Sequence, residues 1–409
     1  GQAYLEWLLE SNYLLVPLDQ DNHWFRYHAL LRDLLGHRLM TLAKPREIAT
    51  LHTRAAGWLA SHGLVEEALH HLLAAGEAGA AAQLVEDNRH RFPNQDDWRT
   101  LDRWMALLPA ELLQQRPGLL MARALVCLLL FDLQTISALV QAAEARLQAP
   151  SLRLSPDETS LIDVEISVFR GVFDCLTGQG GRSFDHLQRA LPQIPREHTY
   201  FRGLAVLYFF LAAQMSGQQD IALQTAASML QDEAGLEDTF SVRVWSGQLL
   251  IYLISGQLSN FFLAAKRAVA ICTQHNYVNL LATGHYLLGY GHYLLNELDV
   301  AASHLAQAAE LRYNEHRRAA VDALALLALT HQARQQPAQA NKTVELLLEF
   351  APEHQNPAIV AVARSCQARV ALLQGDLEAA TRWSQSVDMT LAGGPMLHWA
   401  ELPRLTACR

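Results

Sequence analysis

From Lys44-Pro45 onward, apolar residues recur every three to four positions, in segments separated by Gly, Pro or a short polar turn. That is the period of helices with one buried face, and strand-like alternation is nowhere sustained. The first forty residues read differently. Tyr4 to Leu9 reads as the end of a helix. Tyr13–Leu18 and Trp24–Tyr27 are β-prone, with the polar turn Asp19–His23 between them, which predicts a short hairpin around 14–27. His28 then opens a helix with apolar residues at Leu30, Leu31, Leu34, Leu35 and Leu39.

The helical remainder is periodic on a larger scale. Gly375-Asp376-Leu377-Glu378-Ala379-Ala380 shows the fullest form of a turn followed by Ala five residues later, and Gly217 with Ala222 and Asn296 with Ala301 repeat it. With Phe131, Gly178, Gly256 and Gln335 in the same place, the turns are spaced by 47, 39, 39, 40, 39 and 40 residues. Twelve residues after the turn stand Ala143, Ala190, Ala268 and Ala308. Seven before it stand Ala124, Gly171, Gly289, Ala328 and Ala368. Small residues at such places let two antiparallel helices approach closely, and a pair that cannot bury its face alone must stack on neighbours. An earlier unit at Gly63, with Ala68 and Ala75, obeys the same rule. The grammar resembles the tetratricopeptide (TPR) consensus stretched to about 40 residues. The expected fold is an all-α, TPR-like superhelix of antiparallel helical hairpins, preceded by a small N-terminal winged-helix remnant that contains the β-hairpin. HEAT-like pairs rank second and a closed toroid of helix pairs third.

Composition narrows the function. The chain has 409 residues, 51% hydrophobic and 18% charged, with a net charge of −9, so it can bury a large core and is not disordered as a whole. Its sign argues against nucleic-acid binding by this stretch. The five cysteines are scattered, with no CxxC, which predicts buried thiols in a reducing compartment rather than disulfides or zinc. The longest apolar run, 124–131, is far too short for a membrane span, and a cytoplasmic location is expected.

More specific is the run Leu15-Val16-Pro17-Leu18-Asp19, then Trp24-Phe25-Arg26-Tyr27-His28-Ala29-Leu30-Leu31-Arg32-Asp33-Leu34-Leu35. It resembles the junction in MalT-type regulators, the large ATP-binding LuxR-family transcriptional activators of the STAND class. Leu51–Leu59, His62–Ala68 and Leu101–Pro109 are similar to that family's next segments. The resemblance implies an order of ATPase core, winged helix, TPR-like sensor superhelix and C-terminal helix-turn-helix. It divides this chain into a winged-helix tail (1–45), a helical arm with degenerate repeats (46–125) and a repeat superhelix (126–409). No GxxxxGK[ST] phosphate loop occurs, and Cys408-Arg409 falls in register with Ala368-Arg369. The expectation is therefore a fragment that stops inside the first helix of a further repeat. ATP or ADP would be held only in the intact protein, where the resemblance implies that His28 reaches the ADP phosphate. The bland alternative is a His that caps the hairpin against Trp24.

Other candidate chemistry is weak. Gly178-Gln179-Gly180-Gly181 imitates a phosphate cradle but falls on a repeat turn. No HExxH or GxSxG occurs, and no metal site is expected. The acidic pairs Glu66-Glu67, Asp157-Glu158 and Glu237-Asp238 lie near helix starts, where they complement the dipole. In TPR-like hairpins the inner wall is lined by first-helix residues 13, 10, 6 and 3 before the turn. This rule selects Glu165, Gln214, Arg243, Ser246, Tyr286, Tyr290, Tyr293, Asp322, Gln332, Ser365 and Arg369. Of these, Arg243, Tyr286, Tyr290, Tyr293, Asp322 and Gln332 form the expected ligand or partner surface, by stacking and hydrogen bonding. The alternative is that the tyrosines pack against a neighbouring repeat. Two functions follow. One is the sensor region of an ATP-dependent LuxR-family activator, binding a small-molecule inducer or regulatory protein and coupled to the ATPase core of the same chain, with oligomerisation of the intact protein. The other is a TPR scaffold for a protein or peptide. An enzyme is a distant third.

Overall fold

The computed structural model describes residues 7, 15–17, 25–149, 152, 154–232, 235, 237–354, 356–388 and 399–409. The expected helix end at Tyr4–Leu9 and the turn at Asp19–His23 fall outside these, apart from Trp7. Contacts divide the chain into two compact units, Gly1–Leu84 and Val85–Arg409.

In the first unit β1 (Leu15–Pro17) pairs antiparallel with β2 (Phe25–Tyr27), placing Val16 opposite Arg26. This two-stranded sheet is the only one among the described residues. Helices follow at Ala29–Leu42, Pro45–Ser61 and Val65–Ala74. The first buries none of its residues. The next two form a hairpin through Gly63, whose φ of +78° is open to glycine without strain, and Ala68 is wholly buried between them.

Seven antiparallel hairpins follow among the described residues of the second unit: Pro117–Leu129 with Leu133–Leu147, Pro156–Leu176 with Gly180–Ala190, Thr199–Met215 with Gln219–Asp232, Thr239–Ile254 with Leu258–His275, Val278–Leu294 with Leu298–Glu310, Arg317–Ala333 with Pro337–Phe350, and Pro357–Leu373 with Leu377–Ser386. Each turn residue named from the sequence has left-handed φ: Phe131 (61°), Gly178 (88°), Gly217 (73°), Gly256 (72°), Asn296 (59°), Gln335 (60°) and Gly375 (87°). The reason is a Schellman end. The Asp376 N–H reaches back to Ala371 O (2.9 Å) and that of Gly375 to Leu372 O (3.1 Å), and Asp376 then caps the next helix through Ala379 N (3.0 Å).

The small residues act as the register requires. Ala222, Ala301, Ala308 and Ala340 are wholly buried. A Cβ on Gly171 would lie 2.6 Å from Leu187 Cγ, and one on Gly289 2.5 Å from Leu305 Cγ. Two of the departures from the pattern are compensated next door. Phe210 takes a small-residue position, and Gly247 in the following hairpin makes room for it. Phe261 takes an Ala position, and Gly291 makes room there. The all-α TPR-like fold is therefore the one expected. No helix among the described residues is long and apolar enough to cross a membrane.

Candidate functional site

Most of the first-helix residues selected by the register meet other parts of the same chain. Between Asp87 and Trp98 the chain leaves helical periodicity and bonds to successive hairpins in turn. Arg89 Nη2 (2.9 Å) and His90 Nε2 (2.7 Å) bond to Glu165 Oε1 in the second hairpin. Asn94 donates to Glu197 O (2.6 Å) and accepts from Tyr200 N (3.0 Å) at the third. Asp96 Oδ2 accepts from Asn279 N (2.6 Å) and Leu280 N (3.1 Å), capping the first helix of the fifth. Trp98 Nε1 donates to Asn314 O (3.4 Å), just before the sixth.

Burial sets the ionisation here. It raises the Glu165 carboxyl, but the Arg89 charge and the His90 hydrogen bond outweigh it and hold that carboxyl at about 2. His198 stacks on His90 at 3.9 Å, and burial, then the His90 charge, lower it to about 3. Burial raises Asp96 to about 7, against the Leu280 N–H and the Arg243 charge.

At the other end Asp322, fully buried, holds residues 399–401. Its carboxylate accepts from Ala400 N (2.7 Å), Glu401 N (3.0 Å), Arg318 Nη1 (2.7 Å) and the Tyr286 hydroxyl. Arg318 also donates to Glu401 O (2.7 Å) and lies over the Trp399 ring. Glu401 is bound in turn by Arg369 (2.8 Å), Thr406 (2.6 Å) and Ser365. The short helix Pro403–Ala407 packs on Pro357–Leu373, the first helix of the preceding hairpin.

Between these two fillings lies a cavity of about 80 Å³. Leu128, Leu176, Leu204, Leu250 and Leu287 represent its wall, which draws on the first six hairpins and on Trp399. Arg243, Ser246 and Tyr286 face it. The Arg243 stem fits over Gly203, where a Cβ would lie 2.8 Å from Arg243 Cδ, and its guanidinium stacks on Tyr200 at 4.2 Å.

Arg243, Tyr286 and Asp322 are therefore brought together, but as interior groups. Tyr286 is completely buried and its hydroxyl is raised well above the ordinary value by burial and by Asp322. Tyr290 stacks on it at 6.2 Å, and burial raises its hydroxyl to about 12. Tyr293 and Gln332 are half-buried and lie outside the cavity wall, Gln332 accepting from Gln374 (2.9 Å). Tyr286 packs within the interior, while Tyr290 and Tyr293 are half-buried.

His28 caps the helix Ala29–Leu42, its Nδ1 accepting from Leu30 N (3.4 Å). Trp24 lies outside the described residues. A Cβ on Gly180 would stand 2.6 Å from Met215 Cβ, so that glycine is a packing residue. Glu158 closes a capping box with Ser155, Asp238 caps the helix Thr239–Ile254, and Glu237 pairs with Arg267 (2.8 Å). His285 and His304 meet Nδ1 to Nδ1 at 3.0 Å, but no group of three metal-binding side chains occurs among the described residues. Sequence reasoning missed Asp96, Arg318, Trp399 and Glu401. Only the helix-start position of Asn279 hinted that something must cap it.

The MalT-like TPR region family matches residues 164–391, and the MalT winged helix domain matches residues 1–48. Serine/threonine-protein kinase PknK of Mycobacterium tuberculosis is 29% identical over 223 residues, 53% of this chain and 20% of that protein. The HTH-type transcriptional regulator MalT of Yersinia enterocolitica is 28% identical over 180 residues, 44% of this chain and 18% of that protein. This chain thus spans about a fifth of the length of these relatives. Among solved structures, a signal transduction ATPase with numerous domains (STAND) protein with a TPR sensor from Pyrococcus horikoshii aligns with a TM-score of 0.51 at 15% identity, covering 93% of this chain and 58% of that one. A Rap protein complexed with competence and sporulation factor aligns with a TM-score of 0.52 at 13% identity, covering 74% of this chain and 85% of that one.

Proposed function

We propose that this chain, which belongs to the MalT-like TPR family, is the effector-sensing region of an ATP-dependent LuxR-family transcriptional activator. The effector enters the inner wall at the cavity faced by Arg243 and Tyr286, with Asp322 behind Tyr286 and Tyr290, Tyr293 and Gln332 further along the same faces. The observation that carries this reading is the cavity itself, which is built from six successive hairpins plus Trp399. A ligand there touches so many repeats that its binding energy depends on how they are stacked. That is the differential interaction a two-state switch requires. In the intact protein the ATPase core of the same chain would hold ATP or ADP, with His28 beside the phosphate, and nucleic acid would be engaged by another region.

A TPR scaffold for a peptide or protein is the second reading. Asp322 and Arg318 favour it, because they grip the backbone of residues 399–401 through two N–H groups and one carbonyl, as a peptide site would. A calorimetric screen of small metabolites and peptides against the parent and Tyr290→Ala separates the two. A small ligand weakened by the change supports the sensor, a peptide that displaces Trp399 supports the scaffold, and ligands indifferent to both positions refute the inner wall.

A further inference from the structure

Four donors on the cavity wall are already spent. Ser246 Oγ donates to Val242 O (2.8 Å), Asn279 Nδ2 to Asn314 O (2.7 Å), Thr283 Oγ1 to Asn279 O (3.3 Å), and the Tyr286 hydroxyl to Asp322. Arg243 differs. It is 6% exposed and is the one guanidinium among the lining residues, and its Nε has no partner. A buried cation with an unused donor is costly unless an anion meets it, and the nearby Asp96 carboxyl, protonated in part at neutral pH, offsets the charge only in part. The rest of the wall is mainly leucine, and would leave the hydroxyls of a sugar unsatisfied. A ligand that suits both features has an apolar body and one carboxylate.

We propose that the cavity binds a small carboxylic acid, its short hydrocarbon body against the leucines and its carboxylate on Arg243. This rests on the inner-wall reading and names the chemical class of the effector. The apolar body gains from leaving water in a space walled by Leu204, Leu250 and Leu287. The carboxylate and the guanidinium then satisfy each other with a charge-assisted hydrogen bond. Tyr200 beneath the guanidinium and Gly203 beneath its stem fix the donor's direction beforehand, so little ordering is left for the ligand to impose.

The test uses the whole chain and three probes small enough for a space of about 80 Å³: propionate, propionamide and glycerol. Calorimetry on the unmodified protein should show propionate binding at least about tenfold more tightly than propionamide, the scale of one hydrogen bond to a charged group. The preference should disappear in Arg243→Gln and return in part in Arg243→Lys, and Leu250→Trp, which fills the cavity, should abolish binding. Propionamide equal to propionate on the parent protein overturns the proposal without any variant having to fold. So does a folded Arg243→Gln chain that binds propionate unchanged. If glycerol binds, is blocked by Leu250→Trp and propionate does not bind, the acid class falls while the inner-wall reading stands. Probes or effectors that bind indifferently to Leu250→Trp remove both.

Discussion

Tyr286 in the fifth hairpin donates its hydroxyl to Asp322 in the sixth, and that same carboxylate receives the backbone N–H groups of Ala400 and Glu401. One buried acid thus joins two successive first helices to a segment 78 and 79 residues further along the chain. Removing it takes the carboxylate from Arg318, which is 3% exposed and keeps only uncharged partners in the Glu401 carbonyl and the Trp399 ring. Asp322→Ala should cost about 3–5 kcal/mol, and Tyr286→Phe only about 1–2, because Asp322 keeps its other donors. Urea unfolding of the two variants checks the ranking.

Gly247 and Phe210 form a compensated pair, since a Cβ at 247 would stand 1.8 Å from a Phe210 ring carbon. Gly247→Ala alone should destabilise by about 1–3 kcal/mol through overpacking. Combined with Phe210→Leu, it should cost less than the two single changes added. A double-mutant cycle reads the coupling directly, and strict additivity would contradict the packing.

Ala301→Leu should likewise cost about 1–3 kcal/mol, because Ala301 is wholly buried against the helix that carries Gly289. Val300→Leu, at a position 44% exposed on the same helix, should change stability little. An unchanged melting temperature for Ala301→Leu would count against the close approach of these helices.

Asp96 makes a pH prediction. Its carboxyl is raised from 3.8 to about 7, so in that interval the folded chain retains a proton that the unfolded chain has released. The group's contribution is therefore fully favourable below about pH 4 and is lost as the pH rises to about 7. Asp96→Asn keeps an acceptor for the Asn279 and Leu280 N–H groups but has no such loss. Between about pH 4.5 and 7.5 the variant should gain on the parent by roughly 2–4 kcal/mol, measured by urea unfolding at each pH. A constant difference would show that Asp96 does not titrate in this window.

The sequence made the hairpins legible because their constraints are local. A left-handed turn residue, a cap one position later and a small residue where helices touch all recur at fixed offsets, so Gly375, Asp376 and Ala301 could be placed by counting. The same counting turned Arg243, Tyr286 and Asp322 inward. It could not reveal that the inward space is largely occupied. The bond from Asp96 to Asn279 joins residues 183 apart, and no period records such a partner. Trp399–Glu401 was also invisible, because its bonds to Asp322 are made by backbone groups that every residue carries, and that partner lies 78 and 79 residues away. The cavity chemistry followed the same rule: Arg243 was legible as an inner residue, but its unused Nε depends on what Ser246, Asn279 and Tyr286 do with their own donors.

The ordered contacts of the Arg89–Trp98 stretch bear on how the chain is made. It is synthesised before every hairpin of the second unit, and domains fold from the N-terminus as they emerge. Its partners then appear in sequence: Glu165 for Arg89 and His90, Glu197 and Tyr200 for Asn94, Asn279 and Leu280 for Asp96, Asn314 for Trp98. Each new pair of helices finds its anchoring atom already waiting, a little further along the same strand of chain. The stretch works as a ruler laid down first, against which the ribosome's later output is measured into place. A variant in which residues 85–98 followed residue 409 would supply the same anchoring atoms last instead of first.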